Sequence, residues 1–315
     1  MSAKIIVRAS LGTLASLGLY EVKMMEKPET AYLLQYSQTG CRACCAFCLQ
    51  SRRLFNVKNG EFLGRVSWPA VDLDALASSW KRVFKRICLQ TVVKPGFTSE
   101  VLEILRKIRS FERDLPVSIA ITPVSTYFLH ELRKFGVDAI GVGLDACSPH
   151  VFEKWSKPYS WSTYWRFVEK AVSVFGRGNV YVHLIIGLGE TLVDAVNSIK
   201  KAYSVGARVS LFNYVDEQGR SRVDISYYRL IQVIRFLVEN GFNPDEYVDY
   251  GKGVASRKIP IELTSAFYTS GCPSCNRPFY NEKPSGPIYN IPSENYLKLY
   301  MSRLEEELVK VGIKL

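Results

Sequence analysis

The 315-residue sequence lacks any long apolar run. Its early apolar stretch, from Ile5 to Tyr20, is broken by Arg8 and by several Ser and Gly, so it is too short and too polar to span a bilayer. No signal-peptide pattern is present, and a cytoplasmic protein with no membrane partner is the expectation. Internal repeats and low-complexity segments are missing too, which leaves no ground for a repeat array. Acidic residues are in short supply, with 30 Asp and Glu against 41 Lys and Arg and a net charge of +11. That balance invites an acidic-protein or nucleic-acid partner. The clusters Arg52-Arg53, Lys81-Arg82 with Lys85-Arg86, and Arg106-Lys107 with Arg109 supply local positive field, although such runs are commonly solvated faces. High Lys and Arg content also accompanies growth at high temperature. An appended RNA-binding module and a basic stripe interleaved with aromatics are both absent, so nucleic acid is not the expected partner. With 47% hydrophobic and 23% charged residues, the composition is that of a soluble globular protein.

What the chain does have is eight cysteines, too clustered for a disulfide framework and suited to metal binding in a reducing compartment. Three of them, Cys41, Cys45 and Cys48, stand in a C-x3-C-x2-C spacing within Thr39-Gly40-Cys41-Arg42-Ala43-Cys44-Cys45-Ala46-Phe47-Cys48. Two more, Cys272 and Cys275, form a C-P-x-C turn within Gly271-Cys272-Pro273-Ser274-Cys275-Asn276-Arg277-Pro278. Paired cysteines at short spacing also make zinc knuckles. A closed zinc site takes four ligands, usually as two separated pairs, whereas the first run offers three at unequal gaps and the second has no completing pair nearby. Cys44 reads as a small buried hydrophobe.

From residue 31 onward short apolar strands alternate with amphipathic helices. Expected strands lie at 31–36, 86–91, 117–122, 139–144, 180–186 and 208–213, with helices at 72–83, 99–113, 125–135, 161–174, 192–204 and 224–240. This alternation is the mark of a parallel sheet with right-handed crossovers. The expected fold is therefore α/β, a partial (β/α)6 barrel whose site lies at the C-terminal ends of the strands. The expected domains are an N-terminal helical segment at 1–30, the barrel at 31–240 and a C-terminal extension at 241–315 carrying the second cysteine pair.

The first cysteine spacing resembles that of radical S-adenosylmethionine (radical SAM) enzymes, in which three thiolates hold a 4Fe-4S cluster and leave one iron open for the amino and carboxylate groups of S-adenosylmethionine. His183-Leu184-Ile185-Ile186-Gly187-Leu188-Gly189-Glu190-Thr191 is similar to the fifth-strand motif of the same enzymes; read locally, it is equally a strand-to-helix turn. Gly141-Val142-Gly143-Leu144-Asp145-Ala146 superficially matches a dinucleotide fingerprint, but it falls on the fourth strand rather than opening a first unit. The related biotin and lipoyl synthases place Leu-Asp there to hold the cofactor ribose, so the resemblance assigns Asp145, Gly187, Gly189 and Glu190 to S-adenosylmethionine. Read locally, Asp145 is equally an acid before a helix N-terminus. The family's Gly-Gly-Glu after the second strand is replaced by Gln90-Thr91.

Together with Gly-Cys-Pro-x-Cys-Asn-Arg-Pro in the tail, these stretches resemble one subunit of the archaeal two-component lipoyl synthase. The resemblance implies a radical SAM sulfurtransferase of lipoate biosynthesis, with Cys41, Cys45 and Cys48 as catalytic cluster ligands. A second, auxiliary 4Fe-4S cluster on Cys272 and Cys275 would donate sulfur to an octanoyl chain, its third ligand being Cys88 or, as runner-up, Cys147. Arg277 and the Tyr/Asn-rich tail would close over it. The partners implied are a sister radical SAM subunit, an octanoylated carrier domain and a ferredoxin-type electron donor. Biotin synthase itself is disfavoured, since the third and fifth strands carry no cysteine, and one-chain lipoyl synthase is disfavoured because no cysteine block precedes Cys41. The alternatives are a radical SAM tRNA-modifying enzyme and a zinc-stabilised binding protein.

Overall fold

The computed structural model describes residues 4–55 and 60–315. Six parallel strands form its centre: β2 (Thr30–Gln35), β6 (Arg86–Gln90), β7 (Val117–Ile121), β8 (Val137–Asp145), β9 (Val180–Ile186) and β10 (Arg208–Asn213). They pair in chain order, each parallel to the next. Between them run the crossover helices α3 (Phe97–Phe111), α4 (Thr126–Lys134), α5 (Pro149–Lys154) with α6 (Trp161–Phe175), and α7 (Leu192–Ser204), with α8 (Ile225–Glu239) following β10. The α/β barrel-type architecture read from the alternation is the one found.

Each crossover follows from pattern and capping. In α3 the buried residues Val101, Ile104, Leu105 and Ile108 recur at three- and four-residue steps, which places them on one face against the sheet. Thr191 caps α7 by accepting from the Asp194 backbone N–H, while the Asp194 carboxylate accepts from the Thr191 N–H, a reciprocal capping box.

The strands alternate in the same disciplined way. Ala31 and Leu33, Ile87 and Leu89, Ile140 and Val142, and Val182 and Leu184 are buried in the core. The intervening Tyr32 and Leu34, Cys88 and Gln90, Gly141 and Gly143, and Tyr181 and His183 face a cavity inside the curved sheet. Period-two alternation thus separates a structural face from a chemical one.

The N-terminal segment departs from expectation. Its residues 1–3 lie outside the described chain, and the rest begins with a strand, β1 (Ile6–Ala9), before a single short helix, α1 (Leu11–Ser16). The β-branched Ile6-Val7 pair favours extended backbone. β1 lies antiparallel to β2, and β5 (Ala70–Asp72) lies antiparallel to β1, extending the sheet to eight strands among the described residues. Arg8 is thereby buried, its guanidinium donating to the Trp68 carbonyl at 3.0 Å. A small ladder, β3 (Phe62–Leu63) with β4 (Val66–Ser67), precedes β5, and α2 (Leu73–Ser78) ends earlier than its apolar pattern suggested.

The C-terminal extension closes the open barrel. Residues 270–276 are hydrogen-bonded to three strands or their leading residues: Thr30 Oγ1 donates to Ser274 O (2.8 Å), Arg86 Nε to Pro273 O (2.9 Å), and the Leu211 N–H to Ser270 Oγ (2.8 Å). Asn276 accepts from the Glu29 N–H at 3.0 Å and donates to Lys27 O at 2.9 Å. The final helix α9 (Glu294–Val309) packs on α8, where the fully buried Arg229 pairs with Glu307 at 2.8 Å and donates to Tyr289 O at 2.8 Å. No helix among the described residues is long and apolar enough to cross a membrane.

Candidate active site

The loop after β2 carries the first three thiols. Its shape is set by backbone hydrogen bonds: Cys41 N–H donates to Gln50 O (2.6 Å), Arg52 N–H to Cys41 O (2.9 Å) and Cys48 N–H to Cys45 O (3.2 Å). Gln50 is buried and its amide donates to Phe62 O at 2.7 Å and Gly60 O at 3.0 Å, anchoring the loop from beneath. The Val93 N–H donates to Cys41 Sγ at 3.1 Å. Cys41, Cys45 and Cys48 all line the cavity, and Cys44, in left-handed conformation (φ 58°), does not. Burial pushes the Cys45 thiol up to about 11 and that of Cys48 to about 12, a desolvation cost removed when a metal takes the thiolates.

A second set of three thiols lines the same cavity. Cys88 projects inward from β6, and the tail brings Cys272 and Cys275 to it. The Cys272 thiol donates to Ser118 Oγ of β7 at 3.3 Å, and Tyr32 Oη donates to Cys275 Sγ at 3.6 Å while accepting the Arg277 N–H at 2.9 Å. The neighbouring Cys272 thiol, with the Arg277 guanidinium and Tyr32, holds the Cys275 thiol below its usual range, whereas burial pushes Cys88 up to about 12. Arg277 lies over the Phe212 ring, 3.8 Å from its centroid, and donates to Ser270 O at 2.8 Å. Cys147 is buried outside the cavity lining, in the core between strand and helix, where its carbonyl accepts from Ser198 Oγ at 2.6 Å.

The remaining assigned residues divide. Asp145 ends β8 with φ 69° and lines the cavity, its Oδ2 2.5 Å from Lys157 Nζ. Gly187, Gly189 and Glu190 are not part of the cavity lining. The Glu190 carboxylate instead accepts from the N–H groups of Gly187 (2.7 Å), Leu188 (3.0 Å) and Gly189 (3.2 Å). It is a fastener for a turn whose two glycines sit at φ 104° and 114°. Trp155 joins that turn to the cysteine loop: its Nε1–H donates to Leu188 O at 2.8 Å, its carbonyl accepts from the Ala46 N–H at 3.0 Å, and its ring meets Phe47 edge-on.

Three further residues line the cavity without a role assigned to them from the sequence. Lys157, 5% exposed, sits between Asp145 and Cys45 and over the Phe47 and Tyr164 rings; the Asp145 carboxylate keeps its ammonium charged against the cost of burial. No pattern marks it. His183 faces the cavity from β9, where burial lowers its imidazole to about 4 and keeps the ring neutral. A Cβ at Gly141 opposite would stand 2.7 Å from His183 Nε2, so a side chain there would displace the imidazole. Ser118 was recoverable from the strand period alone.

The cavity measures about 480 Å³, within the range of small-molecule sites. Among the described residues no three His, Cys, Asp or Glu side chains converge as ligands of a single ion would. The donor set is instead an all-sulfur loop on the wall of a roomy cavity, which fits a multi-iron cluster whose thiolates bind separate irons. Fold and site together define a partial-barrel enzyme with a cysteine loop at the C-terminal edge of its first parallel strand. Residues 36–202, more than half of the chain, match the family model of the Radical SAM superfamily, and the chain belongs to that superfamily.

Solved structures agree on the fold. Methylornithine synthase is 12% identical with a TM-score of 0.51, over 90% of this chain and 82% of that one. The FeFe-hydrogenase maturase HydG from Carboxydothermus hydrogenoformans is 18% identical with a TM-score of 0.51, over 69% of this chain; the chain spans 53% of the length of that protein. No curated protein matches the sequence. Membership implies a 4Fe-4S cluster and S-adenosylmethionine.

Proposed function

We propose that this chain is a sulfur-inserting radical SAM enzyme acting on an octanoyl chain held on a carrier-protein lysine, one subunit of a two-component lipoyl synthase. The observation that carries the reading is that Cys88, Cys272 and Cys275 line the same cavity as Cys41, Cys45 and Cys48. Two sulfur donor sets around one substrate-sized space suit a reaction that activates a carbon on one side and delivers sulfur from the other.

In this reading Cys41, Cys45 and Cys48 hold the reducing 4Fe-4S cluster, and Cys88, Cys272 and Cys275 hold the auxiliary one. The bound cofactors supply one-electron cleavage of S-adenosylmethionine, hydrogen abstraction from carbon, and sulfide as the atom transferred. The chain's residues position and shield. Asp145 offers a ribose hydroxyl the oxygen that Lys157 leaves unused, since the ion pair runs through Oδ2. Gly141 and Gly143 leave the wall open for close approach. Glu190 acts indirectly, by holding the Gly187–Gly189 turn that Trp155 ties to the cysteine loop. Leu34, Val92, Ile121 and Phe212 give an acyl chain an apolar lining. The implied partners are a sister radical SAM subunit, an acidic octanoylated carrier domain and a ferredoxin-type donor in the cytoplasm.

The test is anaerobic incubation of the reconstituted chain with S-adenosylmethionine, reductant and an octanoyl-lysine peptide, followed by mass spectrometry. A gain of one sulfur together with 5'-deoxyadenosine supports the reading. An unchanged peptide both with the sister subunit present and with a mono-sulfur peptide as substrate sinks it, and sulfur appearing in tRNA instead would favour an RNA-modifying role. A colourless, zinc-loaded chain would remove both.

A further inference from the structure

We infer that Tyr32, Ser118 and Arg277 bias the second thiol set towards accepting an electron, raising the reduction potential of a cluster held by Cys88, Cys272 and Cys275. The inference rests on the proposed sulfur-donor role of that set and deepens it. Tyr32 is 5% exposed on β2, and its Oη both donates to Cys275 Sγ at 3.6 Å and accepts the Arg277 N–H at 2.9 Å. The N–H polarises the hydroxyl and so strengthens its hold on the sulfur. From β7, Ser118 Oγ meets Cys272 Sγ at 3.3 Å. A thiol donates to that hydroxyl. Once the sulfur is a metal-bound thiolate it has only lone pairs to offer, and the hydroxyl turns to donate to it.

Arg277 adds a full charge. Its guanidinium lies over the Phe212 ring and donates to the neutral carbonyls of Ser270 and Leu211, and it forms no ion pair among the described residues. Glu282, on the same tail, has its oxygens taken by the N–H groups of Asn281 at 3.1 Å and Asn290 at 3.2 Å. The first set differs. Cys41 accepts from the backbone N–H of Val93, and Lys157, the cation beside Cys45, is offset by Asp145 at 2.5 Å. Hydrogen bonds and cations at cluster sulfurs favour the reduced, more negative state and so raise the potential. The proposed chemistry needs that bias at the second set. When a substrate carbon radical bonds to a sulfide, the C–S bond takes the radical's electron and one electron of a sulfide lone pair. The other electron of that pair passes to an iron of the same cluster, which is reduced by one, and no proton moves.

The experiment uses two full-length chains reconstituted anaerobically. Cys41→Ala/Cys45→Ala/Cys48→Ala keeps the second set alone, and Cys272→Ala/Cys275→Ala keeps the first. Redox titration followed by electron paramagnetic resonance gives the midpoint of each. In the chain that keeps the second set, Tyr32→Phe is expected to lower the one-electron reduction constant about tenfold, a midpoint shift of about 59 mV, and Ser118→Ala to act in the same direction. In the chain that keeps the first set, both changes should leave the midpoint in place. With all cysteines present, Tyr32→Phe should lower the sulfur inserted per 5'-deoxyadenosine formed. A second-set midpoint indifferent to both substitutions, or equal shifts in the two chains, overturns the inference. A chain keeping only the second set that binds no iron instead strikes the sulfur-donor reading, and the inference falls with it.

Discussion

Ser118 Oγ accepts a hydrogen bond from the Cys272 thiol at 3.3 Å across 154 positions of sequence. The contact exists because β7 turns Ser118 inward and because Arg86 pins the tail, its Nε donating to Pro273 O while its two terminal nitrogens grip Asp138 at 2.5 and 2.8 Å. A barrel residue and a tail residue thus share one wall, which makes the tail part of the site.

The first prediction concerns metal content. If the second thiol set holds a cubane, replacing Cys272 and Cys275 by Ala should lower iron from about eight to about four per chain, with 5'-deoxyadenosine formation retained. Cys88→Ala should act in the same direction. Cys44→Ala and Cys147→Ala should leave the count unchanged, because neither lines the cavity. Iron and sulfide analysis after anaerobic reconstitution decides.

Lys157→Met is expected to cost about 3–5 kcal/mol, since it strands the Asp145 carboxylate in a site where both partners are largely buried, 5% and 14% exposed. The double change Asp145→Asn/Lys157→Met should recover part of that loss. Urea unfolding of the chain and both variants measures it, and equal stability of the single and double variants would refute the pairing.

Glu190→Ala removes the acceptor for three backbone N–H groups. A loss of about 1–3 kcal/mol follows, together with weaker S-adenosylmethionine binding through a loosened turn. Glu190→Gln, which keeps one acceptor oxygen, should fall between. Chemical denaturation and equilibrium dialysis read the two effects separately.

His183 predicts a pH dependence. Its folded-state value, lowered to about 4 from 6.5, means that the unfolded chain takes up a proton that the folded chain refuses. The stability it contributes is therefore complete above about 6.5 and is lost as pH falls toward 4, by up to about 3 kcal/mol and by less where cavity water reaches the ring. His183→Gln should flatten that limb of the stability curve. Unfolding midpoints compared between pH 7 and pH 4 test it, and parallel curves for the two proteins would contradict it.

Much of this protein was decided by short-range pattern. Cys41, Cys45 and Cys48 are separated by so few residues that one loop must present them together, and that local constraint is visible without any fold. The barrel was legible for a similar reason, because period-two strands and helix-period segments in strict alternation leave few topologies. Thr191 could be read as a helix cap from its neighbours alone.

The tertiary structure settled what depends on distant partners. Cys88 lines the cavity together with Cys272 and Cys275 because its strand turns it inward, whereas Cys147 is enclosed in the core, and neither placement can be read from spacing. Lys157 carries no sequence signal because its value lies in meeting Asp145 in a largely buried site. The part Glu190 plays in holding its turn was not visible in the sequence, since three N–H groups converge on it only once the glycine turn has formed. The N-terminal segment read as helix by its apolar spacing and begins as a strand, because the free edge of β2 rewards pairing more than local periodicity rewards a helix. Spacing governs what a loop can hold, and chain topology governs what faces it.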